Sequence, residues 1–568
     1  MSQLQAYVKD LGWIGPELVL AATALVVLLV ELYRRGRKSG WSLGLALVIT
    51  LAAGFGLSWL GRTFSVALGR PVDLRLDVAV LGLVYVLVTM GDLWFKEDKW
   101  DRLVPGLVVL AGTLLAGYYA VGLMSALSAD PKGASVFGLQ LVDSYSVYFK
   151  LLALVSLLVV TLFTMNYRDL KWGFGEYYLC LVGAHLGIMF LASSNHLLLI
   201  YLGLEMLSLS SYLLAGFRKE DPRSAEAAVK YVIYGGVASA IMLFGFSLIF
   251  GLGGSLDLVE IGRHLAGTAQ GSNRVLVGLG MACTLGGLSY KIAAVPFHFW
   301  CPDVYEGAPT PVTTFLAVAS KAAGFAVIVR IVAVLGQGPG WLEKVTSLMA
   351  VASALSMTYG NLGALHQTNV KRLLAYSSIA HVGYILMAVA ALFGASSAET
   401  GGTFHVDPRA VESILYYLGA YMLMNLGAFG AVIYIAKSAG SEDIDDWWGL
   451  GWKLPVVSGV LVIFLLSLTG IPPTVGFYGK WLLFRTAIAG GFLWLAVLAA
   501  VNTVFSLFYY FKVAKVLFLK PAEESRGVTV HPAAVMAVVL VALGLLTLFF
   551  GVLPSALEGL AGASAAAL

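Results

Sequence analysis

LSYKIAAVPFHFWCPDVYEGAPTP, residues 288–311, follows a run of about twenty almost unbroken apolar residues, the length of one membrane crossing. A lysine, aromatics, a histidine and several prolines then arrive together, where a membrane-spanning helix would be expected to run on. Lys291 and His298 stand on either side of Pro296. What such residues do inside so apolar a chain decides how the rest is read.

The chain has 568 residues, 59% hydrophobic and only 12% charged, and a mean hydropathy of +0.86. Soluble domains carry roughly 25% charged residues, so no single soluble core could absorb this composition. The apolar runs are about 20 residues long, which makes the chain an all-α, polytopic membrane protein. The net charge of +4 does not point to nucleic acid, because the basic residues sit mostly in short loops. Cys180, Cys283 and Cys301 are far apart and lack metal-ligand spacing, which argues against an iron–sulfur cluster, structural zinc or a disulfide framework in this chain. No glycine-rich fingerprint follows a strand, so no nucleotide site is expected. The first apolar run lacks a small-residue cleavage site and reads as a retained helix.

Spans are expected near residues 14–33, 42–61, 74–95, 103–126, 144–166, 177–193, 195–216 and 225–251. More follow near 274–300, 312–335, 341–363, 372–394, 411–437, 454–489, 491–518 and 532–555. That makes about sixteen helices. The stretch 454–489 is too long for one straight span and contains Gly470, Pro472, Pro473 and Gly476, so it reads as a broken helix. Arg34, Arg35, Arg37 and Lys38 mark a cytoplasmic loop after the first span, and Arg218, Lys219, Arg223, Lys371 and Arg372 fall on the same side. Both termini are therefore expected on the outer, periplasmic side.

Ionisable residues inside spans are costly, and by default they face protein or water. Glu205 stands midway along NHLLLIYLGLEMLSLSSYLLAGF, and Lys230 lies inside the next helix. Lys291 and Lys321 occupy consecutive spans, Lys480 follows the break in GIPPTVGFYGKW, and His298, His366 and His381 lie near them. Each has a structural alternative. Lys230 is close enough to a helix end to snorkel, and snorkelling is the better account of Lys150 and Lys512. His366 reads as an interfacial histidine, and Glu205 alone could be a structural ion pair. Taken together, however, one acid and four lysines point to a polar path. Burial lowers the proton affinity of a lysine and a nearby carboxylate restores it. Changing the distance to a partner of the Glu205 type would switch a lysine between loading and releasing a proton. Pro296 and the pair Pro472/Pro473 free backbone groups at depth, and broken helices in corresponding halves mark transport sites near the midplane. On this reading the first break admits water, and Lys291 and His298 pass protons along it.

The runs NHLLLIYLGLEMLSLSSYLL, EAAVKYVIYGG, GLSYKIAAVPFHFWCPDVYEGAPTPVTTFLAVASK, GNLGALHQTNVKRLLAYSSIAHVGYILM and SLTGIPPTVGFYGKW resemble the antiporter-like subunits of respiratory complex I. Among these the chain is most similar to subunit N of bacterial NADH:quinone oxidoreductase. QTNVKR has Asn369 where the L and M subunits carry an acid, and Lys480 stands where M has a glutamate. The chain also stops soon after its last span, without the lateral helix that ends subunit L.

The resemblance implies a fold of about fourteen helices with two inverted five-helix repeats and two broken helices. It places Glu205 and Lys230 on the fifth and sixth family helices, Lys291 and His298 on the broken seventh, Lys321 on the eighth and Lys480 on the broken twelfth. His381 also falls on a family position. It further implies proton translocation along this axis, driven by quinone reduction elsewhere in the complex. NAD, FMN, iron–sulfur clusters and quinone are then expected in partner subunits, with no cofactor or metal in this chain. The implied partners are a neighbouring antiporter-like subunit, small membrane subunits and lipid, in a bacterial inner membrane. The domain reading is residues 1–61 for N-terminal helices, 62–140 for an extra hairpin, 141–518 for the core and 519–568 for a loop and last helix. The alternatives are a subunit of an Mrp-type cation/proton antiporter or of a related membrane-bound redox complex, and a scaffold that moves no ions.

Overall fold

A computed structural model describes residues 10–36, 97–167, 169–268, 273–335, 342–394, 405–519 and 533–568. The expected spans 42–61 and 74–95 lie outside these residues. Every other expected span has its helix. Among the described residues 12 helices are long and apolar enough to cross a membrane. The chain divides into two compact units, Met1–Phe217 and Arg218–Ala566.

The first unit contains α1 (Gly15–Gly36), α2 (Glu97–Leu127), a short hairpin of β1 (Ala134–Val136) and β2 (Gln140–Val142), α3 (Ser144–Asn166), α4 (Phe174–Ser193) and α5 (Leu197–Ala215). The hairpin was not expected from the sequence. It leads into α3 through a reciprocal cap: the Ser146 N–H donates to Asp143 Oδ1 at 2.7 Å, and the Asp143 N–H donates to Ser146 Oγ at 3.0 Å. Helix α2, assigned by the sequence reading to the extra hairpin, packs along α1, α3 and α4 as a full member of the unit.

The second unit begins with α6 (Pro222–Gly253), the short amphipathic α7 (Leu258–Thr268), α8 (Asn273–Ile292), α9 (Trp300–Gly307) and α10 (Thr310–Leu335). It continues with α11 (Leu342–Leu365), α12 (Val370–Ala390), α13 (Pro408–Ala439), α14 (Pro455–Thr469), α15 (Val475–Ala489), α16 (Leu493–Phe518), α17 (Ala534–Val552) and α18 (Ser555–Ala565). Helices α6 and α13 are both 32 residues long and open alike. The carboxylates of Asp221 and Asp407 accept the N–H groups of Arg223 and Arg409 at 3.0 and 2.9 Å, with a proline at the first helical position in each case. Each helix stops at a left-handed glycine, Gly254 at φ 67° and Gly440 at φ 73°. Each is followed by a broken helix, α8/α9 and α14/α15, so the second unit contains matching segments in the manner of a repeat. The first break comes earlier than the expected span 274–300 allowed. A proline neither donates to the preceding turn nor tolerates helical backbone just before it, and α8 ends at Ile292, ahead of Pro296.

Helix α12 lies inside this unit, buried along nearly its whole length between α11, α13, α15 and α16. It touches α11 backbone to backbone: a Cβ on Gly383 would lie 2.5 Å from the Met357 nitrogen and 2.8 Å from the Ser353 carbonyl oxygen. Small residues at such crossings replace the hydrophobic driving force that lipid removes. A Gly383→Leu substitution should therefore force the pair apart at a cost of about 1–3 kcal/mol. The expected outcome is a lower thermal midpoint in detergent and less assembled protein; an unchanged midpoint would show that the contact is not tight.

Candidate functional site

The first break is held by side chains. Ala293 takes a left-handed conformation at φ 60°, and Val295–Pro296 is a cis peptide. The Val295 N–H donates to Ser356 Oγ at 2.9 Å, and the Trp300 indole N–H donates to the Tyr290 carbonyl at 3.0 Å. Trp300 also stacks on Tyr231 with ring centroids 4.4 Å apart. Backbone freed by the proline thus finds protein partners, as backbone at membrane depth requires. Lys291 is 1% exposed, with its ammonium 5.8 Å from the centroid of the Tyr231 ring. His298 is also buried, and its ring packs against Phe299 and Tyr359.

Lys321 follows a π-helical stretch, Leu316–Ser320, that the sequence reading did not foresee. Such bulges occur often at functional sites. The Lys321 ammonium donates to Ser378 Oγ and lies 5.7 Å from the centroid of the Tyr305 ring. Ser378 also accepts the Tyr421 hydroxyl at 2.9 Å. One turn along α12, His381 places Nδ1 2.6 Å from the Tyr417 hydroxyl and Nε2 3.3 Å from that of Tyr510. Tyr510 in turn meets Ser377. A further turn along, Tyr384 presents its ring to the Lys480 ammonium at 4.7 Å from the centroid. Residues 377, 378, 381 and 384 share one helix face by their spacing, and this face carries hydroxyl and imidazole groups from Lys321 to Lys480.

Lys480 serves the second break directly. It is buried, and its ammonium donates to the Thr469 carbonyl at 2.8 Å, the last residue of α14. A cation at a helix C-terminus meets carbonyls with no partner in the next turn. Gly470, at φ 90°, lets the chain turn there, and a Cβ on it would sit 2.9 Å from Lys480 Cδ. Pro472 and Pro473 form the cis peptide that separates α14 from α15.

Lys230 is half-exposed and does not simply reach for headgroups: it pairs with Asp303 at 2.6 Å and Glu226 at 2.7 Å. Asp303, on α9, also receives Arg372 at 2.6 Å, and Arg372 reaches Glu306 at 3.0 Å. At the end of the same half-helix, Arg218 donates to the Gly307 carbonyl at 3.3 Å and Lys371 to the Ala308 carbonyl at 3.0 Å. Lys371 also pairs with Glu442 at 2.9 Å. Arg218, Lys371 and Arg372, read from sequence only as charges that orient the chain, thus clamp the second half of the broken helix. The signal for the partners was already in CPDVYEGAP, whose Asp303 and Glu306 lie one turn apart.

Glu205 sits half-buried on α5 in the first unit. Lys512 donates to the Gln367 carbonyl at 3.0 Å, and His366 is exposed, as an interfacial histidine should be. Lys150 overturns its reading: it is 0% exposed and pairs with Glu17 at 2.6 Å, so it does not snorkel. A lysine that finds a carboxylate inside the bundle has no reason to extend to the headgroups.

Residues 194–506 match the family described as NADH:quinone oxidoreductase/Mrp antiporter, TM. NADH-quinone oxidoreductase subunit N 2 of Chloroherpeton thalassium is 40% identical over 84% of this chain and 90% of its own length. Subunit N of Chlorobium chlorochromatii is 40% identical over 85% of this chain and 93% of its own. The chain belongs to the subunit N family. A chain of respiratory complex I from Thermus thermophilus is 33% identical, with a TM-score of 0.66 over 85% of this chain and 99% of that one. A chain of the Mrp complex from Dietzia shares the fold at 22% identity, with a TM-score of 0.69 over 87% of this chain and 96% of that one. Membership agrees with the helices long and apolar enough to cross a membrane among the described residues. It also agrees with the resemblance read from GLSYKIAAVPFHFWCPDVYEGAPTP.

The α12 face makes a specific demand on Ser378. A hydrogen bond to a charged group contributes about 1.5–3 kcal/mol, so Ser378→Ala should slow ion movement roughly tenfold or more while leaving assembly intact. Donor-driven proton uptake into vesicles, normalised to assembled complex, is the measurement. Parental uptake would remove Ser378 from the path.

Proposed function

We propose that this chain translocates protons in a bacterial NADH:quinone oxidoreductase, driven by quinone reduction in partner subunits. The polar face that α12 presents between two buried lysines is the observation that carries this reading: Lys321 and Tyr421 donate to Ser378, His381 meets Tyr417 and Tyr510, and the Tyr384 ring faces Lys480. Each group on it donates or accepts a proton, and both ends are lysines buried in the protein. Lys291 and His298 stand at the first break and Lys480 at the second. Glu205 is proposed as the acid of the relay and Lys230 as one of its lysines, and Lys230 pairs with Asp303 and Glu226. The relay residues proposed are therefore Glu205, Lys230, Lys291, His298, Lys321, His381 and Lys480.

Electron transfer is assigned to partners that carry NAD, FMN, iron–sulfur clusters and quinone, and this chain contributes only the ion-moving part. Moving a charge against the membrane potential requires about 2.3 kcal/mol per 100 mV, so the driver has to come from elsewhere in the assembly. The proposed setting is the inner membrane with both termini on its outer side, beside another antiporter-like subunit, small membrane subunits and lipid. The 40% identity to named subunits N favours this over an Mrp-type subunit, for which the likeness extends to the fold.

The test isolates the tagged chain in mild detergent with whatever remains bound. The expected result is a large assembly that reduces quinone with NADH and, in vesicles, takes up protons as it does so. Lys291→Ala should assemble and lose that uptake. A small assembly with sodium/proton exchange and no redox activity would assign the chain to the antiporter instead, and normal pumping by the assembled variant would reduce it to a scaffold.

A further inference from the structure

The first unit contains a pair of charges that the path above does not use. Glu17, in the first turn of α1, is 2% exposed; Lys150, two turns into α3, is 0% exposed; their Oε1 and Nζ are 2.6 Å apart. No third group hydrogen-bonds to either charged end among the described residues. Such a pair is a poor structural pin. Removing two ions from water costs several kcal/mol each, and apolar residues of similar volume usually hold helices as well or better. The unit already has apolar and small-residue contacts for that purpose, such as Gly112 closing directly on Thr23.

The pair also does not stand alone on its helices. Along α1 the next carboxylate on the same face is Glu31, four turns or about 21 Å further on. Along α3 the face of Lys150 continues through Thr161 to Thr164, also about 21 Å away. Thr161, Thr164 and, on α4, His185 are all fully buried. At the far end Thr164 donates to the Tyr177 hydroxyl at 3.3 Å, and the Glu31 carboxylate lies against Gly175, where a Cβ would be 2.5 Å from its oxygen. Polar groups therefore recur from one end of α1 and α3 to the other.

We infer that Glu17 and Lys150 form a second proton-exchanging site, at the end of the N-terminal unit where α1 and α3 begin. The inference rests on the proton-translocating reading above. The exchange is simple. An N–H bond of the Lys150 ammonium breaks as an O–H bond forms on Glu17, and two buried charges become a neutral amine and a neutral acid. The acid then gives its proton to water, and the amine takes one from water arriving along the Thr161/Thr164 face of α3, which restores the pair. One proton has crossed the site, with no other reactant consumed.

The test uses the assembled complex in vesicles and reads protons moved per electron transferred. Glu17→Gln combined with Lys150→Met removes both charges without leaving either one unpaired. This double variant should oxidise the donor at the parental rate and move at least twofold fewer protons per electron. A parental ratio would show that the pair is structural only and overturn the inference. Failure of the parent complex to pump would instead count against the proposed function, so the two failures are distinguishable. An independent measurement covers loss of assembly in the double variant. Glu17→Asp keeps the pair, and in the redox-difference infrared spectrum it should shift a protonated-carboxyl band of the parent. If no such band moves, Glu17 does not exchange a proton and the inference fails.

Discussion

A peptide group freed inside a membrane has to find its partner in the protein. This chain interrupts two helices, after Ile292 and after Thr469, and side chains supply hydrogen-bond partners to backbone groups at both interruptions. The Val295 N–H takes a serine hydroxyl from α11, the Tyr290 carbonyl takes an indole N–H, and the Thr469 carbonyl takes the Lys480 ammonium. The last of these joins structure to function in one contact. A lysine that caps a broken helix is held at depth by a carbonyl, which gives it a reason to stay without neutralising its charge. The energy that anchors Lys480 is therefore also what keeps a titratable group in the middle of the protein.

The same logic explains the clamp on α9. A half-helix of 8 residues is too short to be stable by itself, and its ends lie where a full helix would have continued. Arg218 and Lys371 bind the carbonyls at its end, while Lys230 and Arg372 share Asp303. Basic residues just before α6 and at the start of α12 thus fix the geometry of the break. Lys230 is only half-buried and shares two carboxylates, Asp303 and Glu226, so its pairing can be exchanged between them.

What could be read from the sequence depended on whether a residue was anomalous where it stood. Lys291, Lys321 and Lys480 are charges in apolar runs, and Pro296, Pro472 and Pro473 interrupt spans, so each was visible at once. Ser377, Ser378, Tyr384, Tyr417 and Tyr421 were not, because serine and tyrosine are ordinary in membrane helices. Their role depends on which neighbour they meet, and Ser378 matters through α10 and α13. The π-helical turn before Lys321 leaves no mark in LAVAS, and the cap of Lys480 on Thr469 needs the break to be closed in space. Lys150 is hard to read for a related reason: its distance from a helix end is compatible with snorkelling, and only its 2.6 Å pairing with Glu17 of α1 shows that it stays inside.

On the proposed function, protons travel along the α12 face between Lys321 and Lys480. The most direct measurement is the number of protons moved per electron pair by the assembled complex carrying Lys480→Met, in sealed vesicles with electron transfer recorded in parallel. A reduced ratio is the expected result, since the path then ends in a methionine. A parental ratio at a parental rate of electron transfer would contradict it and place the route elsewhere in the protein.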